Sequence, residues 1–292
     1  MLTKKQIQNI ANETTLANHL SDSDLLEFCV LANDSYRSGS PIVSDENYDF
    51  IFIPELQKRL PHQPFLQKVE SESEGFSDEK IKLPEKMLST DKAYTWGEIE
   101  KWLERISKFS EEINMQLSEI QIKGTAKLDG FAGYDDGKKL YTRGDGNKGS
   151  DISRVFQRGL GILNDSERGQ GPGEIVVKRS YFEDHLSNDF EYPRNFQASL
   201  IKEKELDKFA RDAIDAKAAL FVPFKQLPFW KGNIDEFKNQ FLDIVIKLEE
   251  GVDFDIDGVV FEIVNPELKE FMGSNRKFHR WQIAYKENKE KA

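Results

Sequence analysis

The sequence predicts an α+β protein: a small helical N-terminal domain, then a domain of mostly antiparallel sheets with flanking helices. Three observations predict it. Residues 1–65 carry apolar stripes at helical spacing. From residue 87 the texture changes to strand-like alternation interrupted by amphipathic helices. Strands and helices do not follow one another in the regular order of parallel βαβ units. The two domains are expected at residues 1–70 and 71–292.

In chain order, Leu20, Leu25, Phe28 and Leu31 form the first apolar stripe, with Ser21 or Ser23 as N-cap. The turn cluster "SGSPIVSD" leads to a second helix, "ENYDFIFIPELQKRL", capped by Ser44 or Asp45. Pro54 should mark a kink or boundary there. Residues 66–86 are acidic and polar without apolar period and read as a linker or covering loop. Trp96, Ile99, Trp102, Leu103 and Ile106 share one helical face. "LSEIQIKGTAKLDGFAGYDDGKKLYTRGDG" alternates like strands, with "DDGKK" as a hairpin turn. "GEIVVKRSYFEDHL" reads as a strand entering a helix, and "NIDEFKNQFLDIVIKLEEG" as an amphipathic helix closed by Gly251. "FDIDGVVFEIV" and "RWQIAYKEN" are the last two strands.

With 292 residues, 38% of them hydrophobic and 21 of them Phe, the chain can bury sizeable cores. Its net charge of −11 argues against a surface that grips nucleic acid all over, although 41 Lys and Arg can still build a local basic groove. Cys29 is the single cysteine, which excludes an internal disulfide and a cysteine-based zinc site within these residues. The first residues lack an apolar signal core, and no apolar run approaches the roughly 18 residues of a membrane span. A cytoplasmic protein is expected, with no membrane partner.

The chemistry centres on "TAKLDG". Lysine amines are protonated at neutral pH and become nucleophiles only in a suitable site. Two positions from Lys127 on a strand, Asp129 points to the same side, and Gly130 permits close approach of backbone or ligand. Alone, this K-x-D-G match is as well explained by an ordinary surface lysine. The series "AKLDGFAGYDDGKKLYTRGDGNKG", however, resembles the nucleotidyltransferase core of the NAD-dependent DNA ligases. Other segments are similar to family landmarks in the same order: "KMLSTDKAY", "GEIVVKRSYFEDH", "YPRNFQASL", "FDIDGVVFEIV" and "RWQIAYK". Upstream, "SYRSGSPIVSDENYDF" resembles the helical module with which these ligases bind the nicotinamide mononucleotide (NMN) half of NAD. The resemblance covers about residues 15–288.

The resemblance implies a nucleotidyltransferase fold of the ATP-grasp-like ligase kind, with NAD and Mg²⁺ as cofactors. Lys127 would take AMP from NAD as a phosphoramide, and Lys286 would neutralise the α-phosphate. Glu174 and Asp257 would keep ribose, metal or lysines in register, Asp129 belongs to the catalytic set through the K-x-D-G motif, and no residue is singled out as a metal ligand. Ser89, Thr125 and Gly130 fall around the nucleotide. Arg143 and Arg194 would serve the adenylate phosphate or a DNA 5′-phosphate, against the alternative of plain surface ion pairs. Tyr36, Asp45, Tyr48 and Asp49 fall in the NMN module; their plainer reading is a helix cap followed by a half-buried tyrosine.

The sequence departs from the family pattern at three places. Glu262 stands where a lysine is usual, with Lys277 or Arg276 as candidate replacement cations; Thr125 stands where a glutamate is usual; and Ser35-Tyr36 replaces a Tyr-His pair. These motivate a second reading, a weakened nucleotidyltransferase fold used for binding or regulation. A third, an RNA-ligase- or capping-like enzyme using ATP or GTP, is opposed by the "SDENYD" module. OB-fold, zinc and helix–hairpin–helix motifs do not follow Lys286. The chain is therefore expected, as a monomer, to act on nicked DNA with a separate DNA-binding subunit or missing C-terminal domains. The departures suggest a phage or viral origin, and hence a host cytoplasm.

Overall fold

In a computed structural model of the chain, residues 2–37, 41–44, 47–67, 80–202 and 205–287 are described. The N-terminal part holds helices α1 (Lys4–Asn12), α2 (Asp22–Arg37) and α3 (Ile53–Arg59). Ser21 begins α2, its Oγ accepting from the Asp24 N–H at 3.2 Å. Ser44 accepts from the Asn47 N–H at 3.2 Å, while Asp45 lies outside the described residues. A π turn, Tyr48–Phe52, runs into α3, and Pro54 sits in the first turn after it, where a missing N–H costs least. Of the apolar stripe, Leu25 and Phe28 turn inward and Leu20 packs against them, whereas Leu31 stays outside that core. Leu25, Phe28, Phe52 and Leu56 are fully buried in a core drawn only from residues of this N-terminal part.

The remainder is built on two five-stranded sheets. The first has the order β10 (Phe229–Asn233), β3 (Gln121–Leu128), β11 (Ile256–Ile263), β12 (Phe278–Tyr285), β2 (Ser89–Ala93). The second has the order β5 (Leu140–Thr142), β4 (Phe131–Asp135), β8 (Gly171–Val177), β9 (Ala219–Pro223), β7 (Gly161–Ile162). Pairing is antiparallel except for β12 with β2 and β7 with β9. Helices α4 (Trp96–Glu112) and α6 (Ile234–Glu250) cover one face of the first sheet, burying Ile99, Trp102, Phe237 and Val245 against Ile122, Phe261 and Ile283. Capping boxes Thr95–Glu98 and Asn233–Glu236 start both helices. Helix α5 (Pro193–Lys202) backs the second sheet.

The 66–86 stretch departs from a plain loop. Residues 68–79 lie outside the described residues, but Ile81–Lys82 pairs with Lys148–Gly149, and Leu83 and Met87 bury against Tyr141.

The register of the first sheet decides which residues face away from the helices. Thr125, Val260 and Ala284 lie side by side across β3, β11 and β12, with Lys92 of β2 completing the row. Lys127, two residues beyond Thr125, shares that face.

Candidate active site

That outward face, α2 and α3 enclose a cavity of about 940 Å³. Lys127 rises from the end of β3 with its Nζ 2.6 Å from Asp257 Oδ2. Asp257 Oδ1 lies 2.6 Å from Lys286 Nζ, so one carboxylate joins two ammonium groups. Simple alternation would aim Asp257 into the core beside Leu128, since Val259 pairs with Ala126. A bulge between Ile256 and Val259 gives Leu128's partner place to Ile256 and turns Asp257 to Lys127's face. Gly258 makes the bulge possible: its φ is +111°, and a Cβ there would lie 2.2 Å from the Tyr285 carbonyl oxygen. Burial alone would push the Asp257 carboxyl up, but Lys127 and Lys286 outweigh it and hold it well below the usual carboxylate range.

The N-terminal helices supply the facing wall. Asp49, 4% exposed in its side chain, contacts Lys286 through Oδ2 and lies 2.7 Å from Lys92 Nζ through Oδ1. Burial opposes its ionisation, yet Lys286 and Lys92 bring its pKa below the ordinary value. Tyr36 donates its hydroxyl to Asp129 Oδ1. Tyr48 lines the cavity while its hydroxyl reaches the Cys29 carbonyl at 3.4 Å. Lys277 lines the cavity together with Glu262, its Nζ donating to the Leu66 carbonyl at 2.7 Å, whereas Arg276 is not among the lining residues.

Glu174, Ser89 and Arg143 line the same cavity, and Arg143 Nη1 donates to Ser89 Oγ at 3.3 Å. Arg194 lines the cavity as a buried ion pair and not a surface one, its Nη1 3.6 Å from Asp129 Oδ1. It is 4% exposed, with its guanidinium carbon 3.9 Å from the Tyr36 ring centroid and 4.3 Å from that of Phe131. Its Nε donates to the Tyr36 carbonyl at 2.7 Å and its Nη1 to the Gly130 carbonyl. Gly130 lines the cavity as well, and its backbone packs so closely that a Cβ there would lie 2.2 Å from the Ile175 carbonyl oxygen. Thr125 lines the cavity beside Val260.

Asp255 is also part of this wall's foundation. Its carbonyl accepts from the Asp129 N–H at 2.9 Å, and burial, reinforced by Asp129, pushes its carboxyl up to about 6.

Two groups escaped the sequence reading. Lys92 follows an ordinary-looking aspartate in "STDK", and only the parallel pairing of β2 with β12 brings it beside Lys286. Phe224 lines the cavity from a one-turn 3₁₀ segment whose motif is too short to notice.

The sequence model of the NAD-dependent DNA ligase adenylation domain matches residues 76–218. The chain is 59% identical over 275 residues to a DNA ligase of Ruthia magnifica subsp. Calyptogena magnifica, covering 94% of this chain and 45% of that protein. The chain belongs to the NAD-dependent DNA ligase family. It is 49% identical over 287 residues to a DNA ligase of Desulfotalea psychrophila, covering 98% of this chain and 42% of that one. With a DNA ligase of Shewanella baltica the identity is 47% over 275 residues, 94% of this chain and 42% of that one. The chain thus spans about half the length of the curated relatives it matches. Among the described residues no helix is long and apolar enough to cross a membrane.

Proposed function

We propose that this chain carries out the adenylation step of an NAD-dependent DNA ligase. Lys127 attacks the adenylyl phosphorus of NAD, forms lysyl-AMP and releases NMN. The observation that carries this reading is the Lys127–Asp257–Lys286 triad, a cavity-facing lysine oriented by a carboxylate that also holds a second cation. Orientation at hydrogen-bond distance is what an in-line attack requires. Lys286 offsets charge on the attacked phosphate. Arg143 and Ser89 bind nucleotide phosphate or sugar oxygens, Glu174 the ribose, and Thr125, Val260 and Phe224 the base. Arg194 joins the Gly130 turn to Tyr36 instead of binding phosphate. Tyr36, Asp45, Tyr48 and Asp49 form the NMN side, within a helical domain of residues 1–70 attached to an adenylation domain of residues 71–292.

No cluster of three or more candidate metal ligands occurs among the described residues. Glu174 and Asp257 line the cavity, and one or two carboxylates fit Mg²⁺, which keeps most of its waters and takes further ligands from substrate phosphates. Glu174 or Asp257 would hold it, and it would supply further positive charge to the phosphates. Within a longer ligase the AMP would pass to the 5′-phosphate of nicked DNA in the cytoplasm, with other domains or a partner subunit holding the duplex.

A weakened, binding-only fold loses its main support. Glu262 lies 3.7 Å from Lys269 and is directly opposite Lys123 in the β11–β3 register, so its charge is answered locally. Incubation with NAD and Mg²⁺ followed by intact-mass measurement tests the proposal. An adduct of about 329 Da from NAD and none from ATP is expected for the phosphoramide. No adduct, or one formed from ATP alone, overturns it.

A further inference from the structure

We infer that Lys92 is a second phosphate-binding cation of this site, serving the leaving group: it binds the phosphate of the NMN half while Lys286 binds that of the adenylyl half. The inference rests on the adenylation reading above.

Lys92 and Lys286 arise from neighbouring strands. Lys92 pairs in register with Ala284, and Lys286 follows two residues later, so both side chains leave the sheet on one face. Between them stands the carboxylate of Asp49, one oxygen 2.7 Å from Lys92 Nζ and the other on Lys286 Nζ. Two ammonium groups bridged by one carboxylate are close enough together for the two phosphates of a single pyrophosphate. Asp49 therefore marks the place where substrate oxygens meet both cations.

The two lysines differ in access. The Lys286 side chain is 7% exposed and that of Lys92 is 41% exposed. The inner cation suits the attacked phosphate beside Lys127, and the outer one suits the half of the dinucleotide that departs.

The reaction requires such a group. Lys127 Nζ forms a bond to the adenylyl phosphorus as the bond from that phosphorus to the bridging oxygen breaks. The electron pair leaves on the NMN phosphate, which gains a unit of negative charge, and the two protons that the Lys127 ammonium loses in becoming a phosphoramide N–H go to water. A cation beside the departing oxygen stabilises the transition state more than the ground state.

Calorimetric titration with NMN and with phosphate-free nicotinamide riboside tests this in the wild type, Lys92→Met and Lys92→Arg. Lys92→Met should weaken NMN binding by about 10- to 100-fold, the scale of one lost charge-assisted contact, and leave the riboside unchanged. The rate of AMP adduct formation from NAD should fall in step, and Lys92→Arg should recover most of both. Unchanged NMN binding overturns the inference. So does an equal loss for NMN and the riboside, because Lys92 would then merely prop Asp49. A wild-type protein that binds neither ligand and forms no adduct removes the adenylation reading itself, before any variant is made.

Discussion

The two walls of the cavity are built on different terms. The sheet wall carries Lys127 on β3, Asp257 on β11 and Lys286 directly after β12, and backbone register with one bulge fixes their spacing. The helical wall has its own core and meets the sheet wall through one aromatic pair, Phe50 with Tyr94, and through polar contacts: Tyr36 with Asp129, Asp49 with Lys92 and Lys286, Arg194 with the Tyr36 carbonyl, Lys277 with the Leu66 carbonyl. Covalent chemistry tolerates little displacement and sits on rigid strands. In the proposed function, recognition of the departing half falls to a separately packed unit, several of whose polar contacts involve cavity-lining groups.

The most damaging way to break this contrast is to remove the bulge. Gly258→Ala places a methyl group against the Tyr285 carbonyl at a backbone angle that L-residues resist. We expect a loss of about 3 kcal/mol in unfolding experiments, and adduct formation slowed beyond what that loss explains, because Asp257 turns away from Lys127. Full activity in a folded Gly258→Ala protein would show that the sheet wall does not depend on its register.

A smaller effect separates the walls. Arg194→Lys keeps the charge but loses the fork that spans the Tyr36 and Gly130 carbonyls. The NAD concentration giving half-maximal adduct rate should rise about tenfold, the scale of one lost charge-assisted contact, while the rate at saturation changes little. A fall confined to the saturating rate would place Arg194 on the nucleophile's side.

The smallest expected effect concerns stability alone. Asp255 has a folded pKa of about 6, above its unfolded value near 3.9. The folded state thus holds this proton more tightly, and its contribution to stability falls as pH rises from about 4 through about 6. Asp255→Asn should therefore raise stability at pH 8 by about 2 kcal/mol and have little effect at pH 4.5, read from thermal unfolding at both values.

The same contrast decides what the sequence could reveal. Helices with caps and stripes were legible, since Ser21 and the Trp102 face are local signals. Lys127 was legible because its motif is contiguous and stands in an ordered series. The pairing of Lys92 with Asp49 was not, because it depends on a parallel strand pairing and on the docking of a distant helix. Arg194 was legible as a site residue but not in its partners: burial between two aromatic rings carries no local mark. Glu262 looked like a reversal of charge because its cross-strand neighbour Lys123 is 139 positions away, a proximity that only the sheet register supplies.

The cavity holds Lys92, Lys123 and Lys286 beside Lys127, so an adduct mass alone does not say which amine reacts. Peptide mapping of the AMP-modified protein, with Lys127→Arg as control, is the most direct test of the central claim. The account predicts AMP on the peptide containing Lys127 and none on the variant. Adenylation at Lys92, Lys123 or Lys286, or an adduct that persists in Lys127→Arg, would contradict it.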